Sequence, residues 1–420
     1  MQRRDFVSAL GSASGSVALG GAFPTAAGAA EFGIPAASKT VPKTNIEIRT
    51  SYPAIPPLGK DVFEQRLEQA RKLTKDAGAT VLVATSGSTN FTYLVGSGFG
   101  RSERLIALVL PLNGEAVLVS PSFEAERVRR GARIGAVRGW EEHESPYTLV
   151  REILGTAATR AVILVEPKTE YWTAMRMVAA LPNARLIDGS AVFERMRLVK
   201  SADEIVRMKR AIEITEDAIA ASHDQLQTGM RDSDIAALVS REHALRGVSG
   251  GALVQLGAQS ALPHGGTIDA TLKEGMVVLM DGGCGFQGYA SDITRTRWFG
   301  DSPPARFREV YNLVHDAQTA AIEKVKPGVP AQEIDRAARA VITKGGFGQY
   351  FTHRVGHGMG MDGHEETYMV EGNTRALEPG FVFSVEPGIY MLGEFGVRHE
   401  DDVVCSESGA EIMSRRAPKI

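Results

Sequence analysis

The chain has 420 residues, 43% of them hydrophobic and 23% charged, with a net charge of −3. That length suggests two or three soluble domains, and so small a charge argues against a polyanionic partner such as nucleic acid. Two cysteines, Cys284 and Cys405, exclude a disulfide framework and read as buried free thiols in preference to a single bridge.

The chain begins "MQRRDFVSALGSASGSVALGGAFPTAAGAA". A twin arginine, Arg3–Arg4, precedes a mildly apolar Gly/Ala/Ser run that ends in small residues near Ala27 to Ala30. This pattern predicts a Tat export signal over 1–30 and a periplasmic or secreted protein. The Tat route carries folded proteins, often with a cofactor already bound. The run is too short and too weakly apolar for a retained transmembrane helix, no other segment qualifies, and no membrane association is expected. Residues 31–57 are rich in Pro, Ser and Thr and read as a linker or extended arm.

Regular patterning starts at 58. Phe63, Leu67, Ala70 and Leu73 recur at helical spacing. "TVLVAT" (80–85), "RLIALVLP" (104–111), "EAVLVS" (115–120) and "AVILVE" (161–166) are short apolar runs between turns, as in buried strands of a mixed sheet. These predict an α/β first domain over 58–194.

From 195 the pattern changes. Ser201 and Glu204 form a capping box ahead of a helix whose apolar face carries Ile205, Met208, Ile212 and Ile219, with Ile214 off that face. Helices are predicted over 305–325 and 330–344, stopped by Pro327–Gly328 and Gly345–Gly346. The runs "MVVLMDGG", "GYASDITRTRWF", "FVFSVEPGIY" and "VRHEDDVVCSESGAEIMS" read as strands and hairpins. Helices with antiparallel strands make an α+β second domain over 195–420.

Four carboxylates lie at or beside these strands. Asp281 ends "MVVLM", Asp292 follows eleven residues on across a Gly-rich hairpin, and Glu386 and Glu400 lie in "FVFSVEPGIY" and "GVRHEDDVV". Each acid alone reads equally well as a solvated hairpin carboxylate. Buried together they need compensating positive charge, and four acids with a histidine make a hard, oxygen-rich site for one or two divalent cations. Three of the nine histidines fall in "HRVGHGMGMDGHEE" (353–366). Its glycines, Gly356, Gly358 and Gly360, match no phosphate-binding pattern and serve close backbone approach.

Taken together, "PHGGT" (263–267), "DGGCGFQGYASDITRT" (281–296), "HRVGHGMGMDGHE" (353–365), "LEPGFVFSVEPGIY" (377–390) and "GVRHEDDVV" (396–404) resemble the creatinase/methionine-aminopeptidase, or pita-bread, family. Within it the chain resembles the Xaa-Pro aminopeptidases and Xaa-Pro dipeptidases. "NFTYLVGSGF" (90–99) and "MRLVKSADEI" (196–205) resemble that branch's first domain and junction. The resemblance implies a creatinase-N-like mixed-sheet domain followed by a pita-bread catalytic domain.

It also implies two divalent metal ions, with manganese expected, held by Asp281, Asp292, His357, Glu386 and Glu400. Asp292 and Glu400 would bridge the ions, and a metal-bridging hydroxide would cleave the Xaa–Pro bond. Glu386 would carry the proton to the proline nitrogen. His264 and His364 would hold the substrate and stabilise the oxyanion. His353 would line the proline pocket, with Arg398 near the site and Tyr390 in a weaker role. The expected partners are a small peptide with proline second and a second copy of the chain, a tetramer being the alternative to the dimer. The same fold also hosts hydrolases and lyases of creatine-, ectoine- or sulfonio-propionate-like molecules, which stand as the alternative. His315, His399, Glu365, Glu366, Asp401 and Asp402 read either as solvated residues or as groups that back the site residues from behind.

Overall fold

The computed structural model describes residues 47–266 and 269–420. The expected export signal and the first part of the arm lie outside the described residues. Residues 47–57 form an extended segment against the helix Ala202–His223. Tyr52 Oη donates to Asp217 Oδ2 at 2.8 Å, and Arg210 Nη1 donates to the Pro53 carbonyl at 2.5 Å.

The first half of the chain builds a six-stranded sheet. Its order is Ala136–Trp140, Val117–Pro121, Ala107–Pro111, Val81–Thr85, Val162–Val165 and Arg185–Asp188. Val81–Thr85 pairs antiparallel with Ala107–Pro111 and parallel with Val162–Val165, so the sheet is mixed. Strand side chains alternate between faces. Leu82, Ala84, Leu108 and Leu110 accordingly face Phe63, Leu67 and Ala70 of the helix Lys60–Asp76. Val81, Val83, Ala107 and Val109 face the opposite core with Tyr147, Val150 and Met177. Both faces are covered, which is why these strands read as continuous apolar runs.

The second half is antiparallel. One sheet runs Ile293–Phe299, Met276–Phe286, Gly250–Leu256. Another runs Glu365–Met369, Gly356–Gly358, Val382–Val385, Asp401–Ser406, Gly409–Ile412, beside a hairpin of Gly388–Met391 with Phe395–Arg398. The helices Ala305–Lys324 and Gln332–Lys344 cover one side through Phe307, Val314, Ile334 and Ala338. Ala202–His223 and Asp232–Leu245 cover another through Met208, Ile212, Ile235 and Val239.

The capping box at Ser201 and Glu204 is formed, with Ser201 N donating to Glu204 Oε2 at 2.9 Å. Ile214 is buried although it lies off the main apolar stripe. It packs with Ala211 and Cys284, and Tyr52 of the extended arm adjoins that cluster. The helix is thus covered on a second side. Cys284 and Cys405 are free and buried. No helix among the described residues is long and apolar enough to cross a membrane.

Candidate metal centre

Antiparallel pairing gathers the acids. In the Met276–Phe286/Ile293–Phe299 hairpin Asp281 faces Thr294, which brings Asp292 to the same end of the pair. Glu400 enters beside them because its backbone N–H donates to the Thr294 carbonyl at 3.3 Å. Glu386 follows the strand Val382–Val385, and its N–H is fixed at 2.7 Å to the Val355 carbonyl, next to the strand that bears His357. The glycines beside His357 allow this crowding. A Cβ on Gly356 would stand 1.9 Å from the Ser384 carbonyl oxygen, and one on Gly358 2.2 Å from that of Glu366. Side chains there would push the flanking strands apart.

Ligand-type atoms of Asp281, Asp292 and Glu400 lie within 4.8 Å of one another, as do those of His357, Glu386 and Glu400. A third such group joins Asp292, His357 and His364. Glu400 belongs to the first two groups and Asp292 to the first and third. His357 Nε2 is 3.4 Å from Glu386 Oε1 and 3.7 Å from Asp292 Oδ2. Its Nδ1 lies 3.1 Å from the Gly358 carbonyl, an acceptor that requires the proton on Nδ1 and leaves the Nε2 lone pair for a ligand.

Electrostatics point the same way. Burial, reinforced by neighbouring carboxylates, pushes Asp292 and Glu400 well above the usual carboxylate range. Burial also raises Glu386, against the pull of Arg398. Burial and the adjacent His364 lower His357 to about 3, so its imidazole is neutral. Four acids thus crowd one buried site with Arg398 as the close counter-charge. Oxygen-rich donors, a neutral imidazole and excess negative charge fit divalent cations.

Arg398 ties the site to its surroundings. It donates from Nη2 to Asp281 Oδ2 at 2.6 Å, from Nη1 to Tyr390 Oη at 2.9 Å and to the Pro263 carbonyl at 3.2 Å, and from Nε to Thr294 Oγ1 at 3.0 Å. Tyr390 Oη in turn reaches His353 Nε2 at 2.8 Å, and His353 Nδ1 is 2.6 Å from the Arg354 carbonyl. Burial and the charge of Arg398 lower His353 to about 4. His364 is exposed, and its ring lies 3.8 Å from that of His357, centroid to centroid. His264 is exposed, on the turn whose Pro263 carbonyl Arg398 holds. It is near enough to His353 and His364 to disfavour their protonation.

For several flanking residues the sequence left solvent exposure and support of the site both open, and the structure decides against exposure. Asp401 and Asp402 are fully buried. Asp401 pairs with Arg295 at 2.8 Å, and Asp402 Oδ2 accepts the Asp292 backbone N–H at 3.1 Å, so the strand that presents them is internal. The side chain of Glu365 is covered by its ion pairs with Arg197 and Lys200. His399 is fully buried, its ring 4.2 Å from Tyr311. Thr294 escaped notice. Its hydroxyl donates to Glu400 Oε2 at 2.6 Å. The two-residue alternation from Asp292 through Thr294 to Thr296 was the available signal, since it sets all three on one face.

Comparison with known proteins agrees with this geometry. Residues 206–407 match the model of metallopeptidase family M24, and residues 66–199 that of the creatinase/prolidase N-terminal domain. A probable dipeptidase, PepE, of Mycobacterium tuberculosis is 37% identical over 83% of this chain and 94% of its own length. The crystal structure of dipeptidase PepE from Mycobacterium ulcerans superposes with a TM-score of 0.79 at 34% identity, covering 87% of this chain and 98% of that one. The prolidase of Thermococcus sibiricus gives 0.78 at 30% identity, covering 85% and 98%. A creatinase-type mixed sheet joined to an antiparallel catalytic half, with sequence identity across both, makes this chain a pita-bread metallopeptidase of family M24.

Proposed function

We propose that this metallopeptidase hydrolyses the Xaa–Pro peptide bond with two divalent metal ions, manganese first among them, held by Asp281, Asp292, His357, Glu386 and Glu400. The observation that carries this reading is the pair of adjoining donor groups that share Glu400, since one carboxylate serving two groups suits a bridging ligand. Ions bound there supply Lewis acidity for the scissile carbonyl and lower the pKa of water.

The chain's own residues perform the remaining tasks. Glu386, whose proton affinity is raised by burial, takes a proton from the attacking water and returns it to the departing proline nitrogen. That nitrogen belongs to a tertiary amide and leaves as a secondary amine, so it needs the proton. His364 and His264 donate to the developing oxyanion. His353, fixed between the Arg354 carbonyl and Tyr390, walls the proline side, and Arg398 orients Asp281 and Tyr390.

The prolidase and dipeptidase names of the relatives support dipeptide cleavage. Hydrolysis of Gly-Pro but not of Xaa-Pro-Xaa peptides is the expected result; cleavage of the longer peptides would assign an aminopeptidase. Metal analysis tests the centre. Purified protein that holds no transition metal and gains no activity with Mn²⁺ would sink the reading. His357→Ala and Glu386→Ala are expected to abolish turnover with an unchanged circular dichroism spectrum. We further propose a homodimer, checked by light scattering, and Tat export directed by Arg3–Arg4.

A further inference from the structure

His364 lies on the connection between Gly356–Gly358 and Glu365–Met369, yet that connection is held largely by the first half of the chain. Asp362, two residues before His364, receives three donors from three separate elements. Thr89 Oγ1, at the start of the helix Thr89–Val95, donates to Asp362 Oδ1 at 2.5 Å. Lys168 Nζ, in the turn after the strand Val162–Val165, reaches Oδ2 at 3.3 Å. Arg197 Nη2, on the helix Ser190–Leu198, donates to Oδ2 at 2.9 Å.

Arg197 is itself fixed. Arg197 Nη1 donates to Asn90 Oδ1 at 2.8 Å, and Asn90 Nδ2 donates to Glu166 Oε1 at 2.9 Å. Arg197 also pairs with Glu365, which lies 3.4 Å from the buried Lys200. The Asp362 backbone N–H donates to Glu365 Oε1 at 3.0 Å, and its carbonyl accepts from Gly360 N at 3.0 Å. The side chains of Arg197, Lys200 and Glu365 are 10%, 2% and 8% exposed, so these ion pairs are shielded from water. The hold on the imidazole itself is weak by comparison. Arg354 Nη2 lies 3.4 Å from His364 Nδ1, a long contact.

We infer that Asp362 is a positioning residue. Through Thr89 and Lys168 of the first domain and Arg197 at its junction with the second, it fastens the 360–364 turn to the first half of the chain, which thereby sets where His364 stands over the metal centre. The effect on catalysis rests on the proposed role of His364 toward substrate; the fastening of the turn does not. The first domain, remote in sequence from the four acids and His357, is on this basis part of the reaction's geometry.

Two measurements separate these layers. Hydrogen exchange of peptides spanning 359–369 is followed by mass spectrometry in the full-length wild type, Asp362→Asn and Thr89→Val. Asp362→Asn keeps the shape and removes the charge that two cations share. Exchange at 362–364 is expected to quicken about tenfold in Asp362→Asn and less in Thr89→Val. Unchanged exchange in Asp362→Asn overturns the fastening.

Kinetics on Gly-Pro with Mn²⁺-loaded protein form the second arm. Asp362→Asn is expected to lower kcat about 10- to 100-fold with KM within about threefold and metal content unaltered, because a misplaced group costs turnover more than binding. Adding Asp362→Asn to His364→Ala should then cost little more than His364→Ala alone. Multiplying effects, or an unaltered kcat in Asp362→Asn, overturn the positioning role. A wild type inactive on Gly-Pro and on Xaa-Pro-Xaa peptides fails the reaction reading instead, and the catalytic role with it, while exchange still decides the fastening.

Discussion

Arg398 Nη2 stands 2.6 Å from Asp281 Oδ2, and Nη1 of the same guanidinium stands 2.9 Å from Tyr390 Oη. One buried cation therefore orients both a carboxylate of the centre and the phenol that contacts His353. Burial opposes the charge on Arg398, but Tyr390 and the surrounding carboxylates keep it ionised.

Arg398→Lys keeps the charge and loses the planar fork. A single ammonium cannot reproduce bonds that run to Asp281, Tyr390, Thr294 and the Pro263 carbonyl. Turnover of Gly-Pro, expressed as kcat/KM, is expected to fall about 10- to 100-fold, the usual cost of losing a residue that orients a metal ligand. Steady-state kinetics provide the check, and wild-type kinetics in this variant would refute the orienting role.

Thr294→Val deletes one hydroxyl at nearly constant volume. That hydroxyl donates to Glu400 and accepts from Arg398 Nε, so its loss leaves two buried charged groups short of a partner. Metal affinity should weaken about 10- to 100-fold. Stability should fall by about 1–3 kcal/mol, the cost of an unmet buried polar group. Chelator competition and denaturant unfolding measure the two effects separately.

His223 is buried at the end of the helix Ala202–His223, and its Nε2 has no hydrogen-bond partner among the described residues. Burial, aided by Arg297, holds it well below the ordinary imidazole range. The unfolded chain therefore takes up this proton first on acidification. Stability from the neutral imidazole is complete above the unfolded pKa and is lost progressively as pH falls toward the folded value. Between about pH 6.5 and pH 5, the wild type should lose up to about 1.4 kcal/mol per pH unit more than His223→Gln. Equal slopes in urea titrations across that window would contradict a neutral buried His223.

The proposed export signal makes a prediction independent of the enzyme. Residues 1–30 fused to a reporter should deliver it to the periplasm of Tat-competent cells and leave it in the cytoplasm of Tat-deficient ones. Replacing Arg3 and Arg4 by Lys together should block delivery in both. Fractionation and immunoblotting report the outcome.

Much of this molecule was legible before its fold was known, because its signals are local. Short continuous apolar runs marked Val81–Thr85 and Ala107–Pro111, helical spacing marked Lys60–Asp76, and a capping box marked the start of Ala202–His223. The acids Asp281, Asp292, Glu386 and Glu400, at or beside predicted strands, stood out because buried carboxylates need a counter-charge, and the family resemblance joined them into one ligand set. What local pattern could not supply was partnership across the chain. Asp402 and Glu365 read as solvated or as supporting the motifs from behind, with no partner named; the first meets the Asp292 N–H and the second meets Arg197, 110 and 168 residues away in sequence. Ile214 looked misplaced until the extended arm and Cys284 covered it. The sequence by itself offered the oxygen and imidazole donors for a metal, since ligand chemistry belongs to the side chain, and through its resemblance to the family implied which five of them to expect together. Only the tertiary structure decided which of them share a carboxylate, which are braced by Arg398 and Thr294, and that Asp362 ties the His364 turn to the first domain. Those relations depend on strand register and on packing between halves of the chain, and neither leaves a local trace.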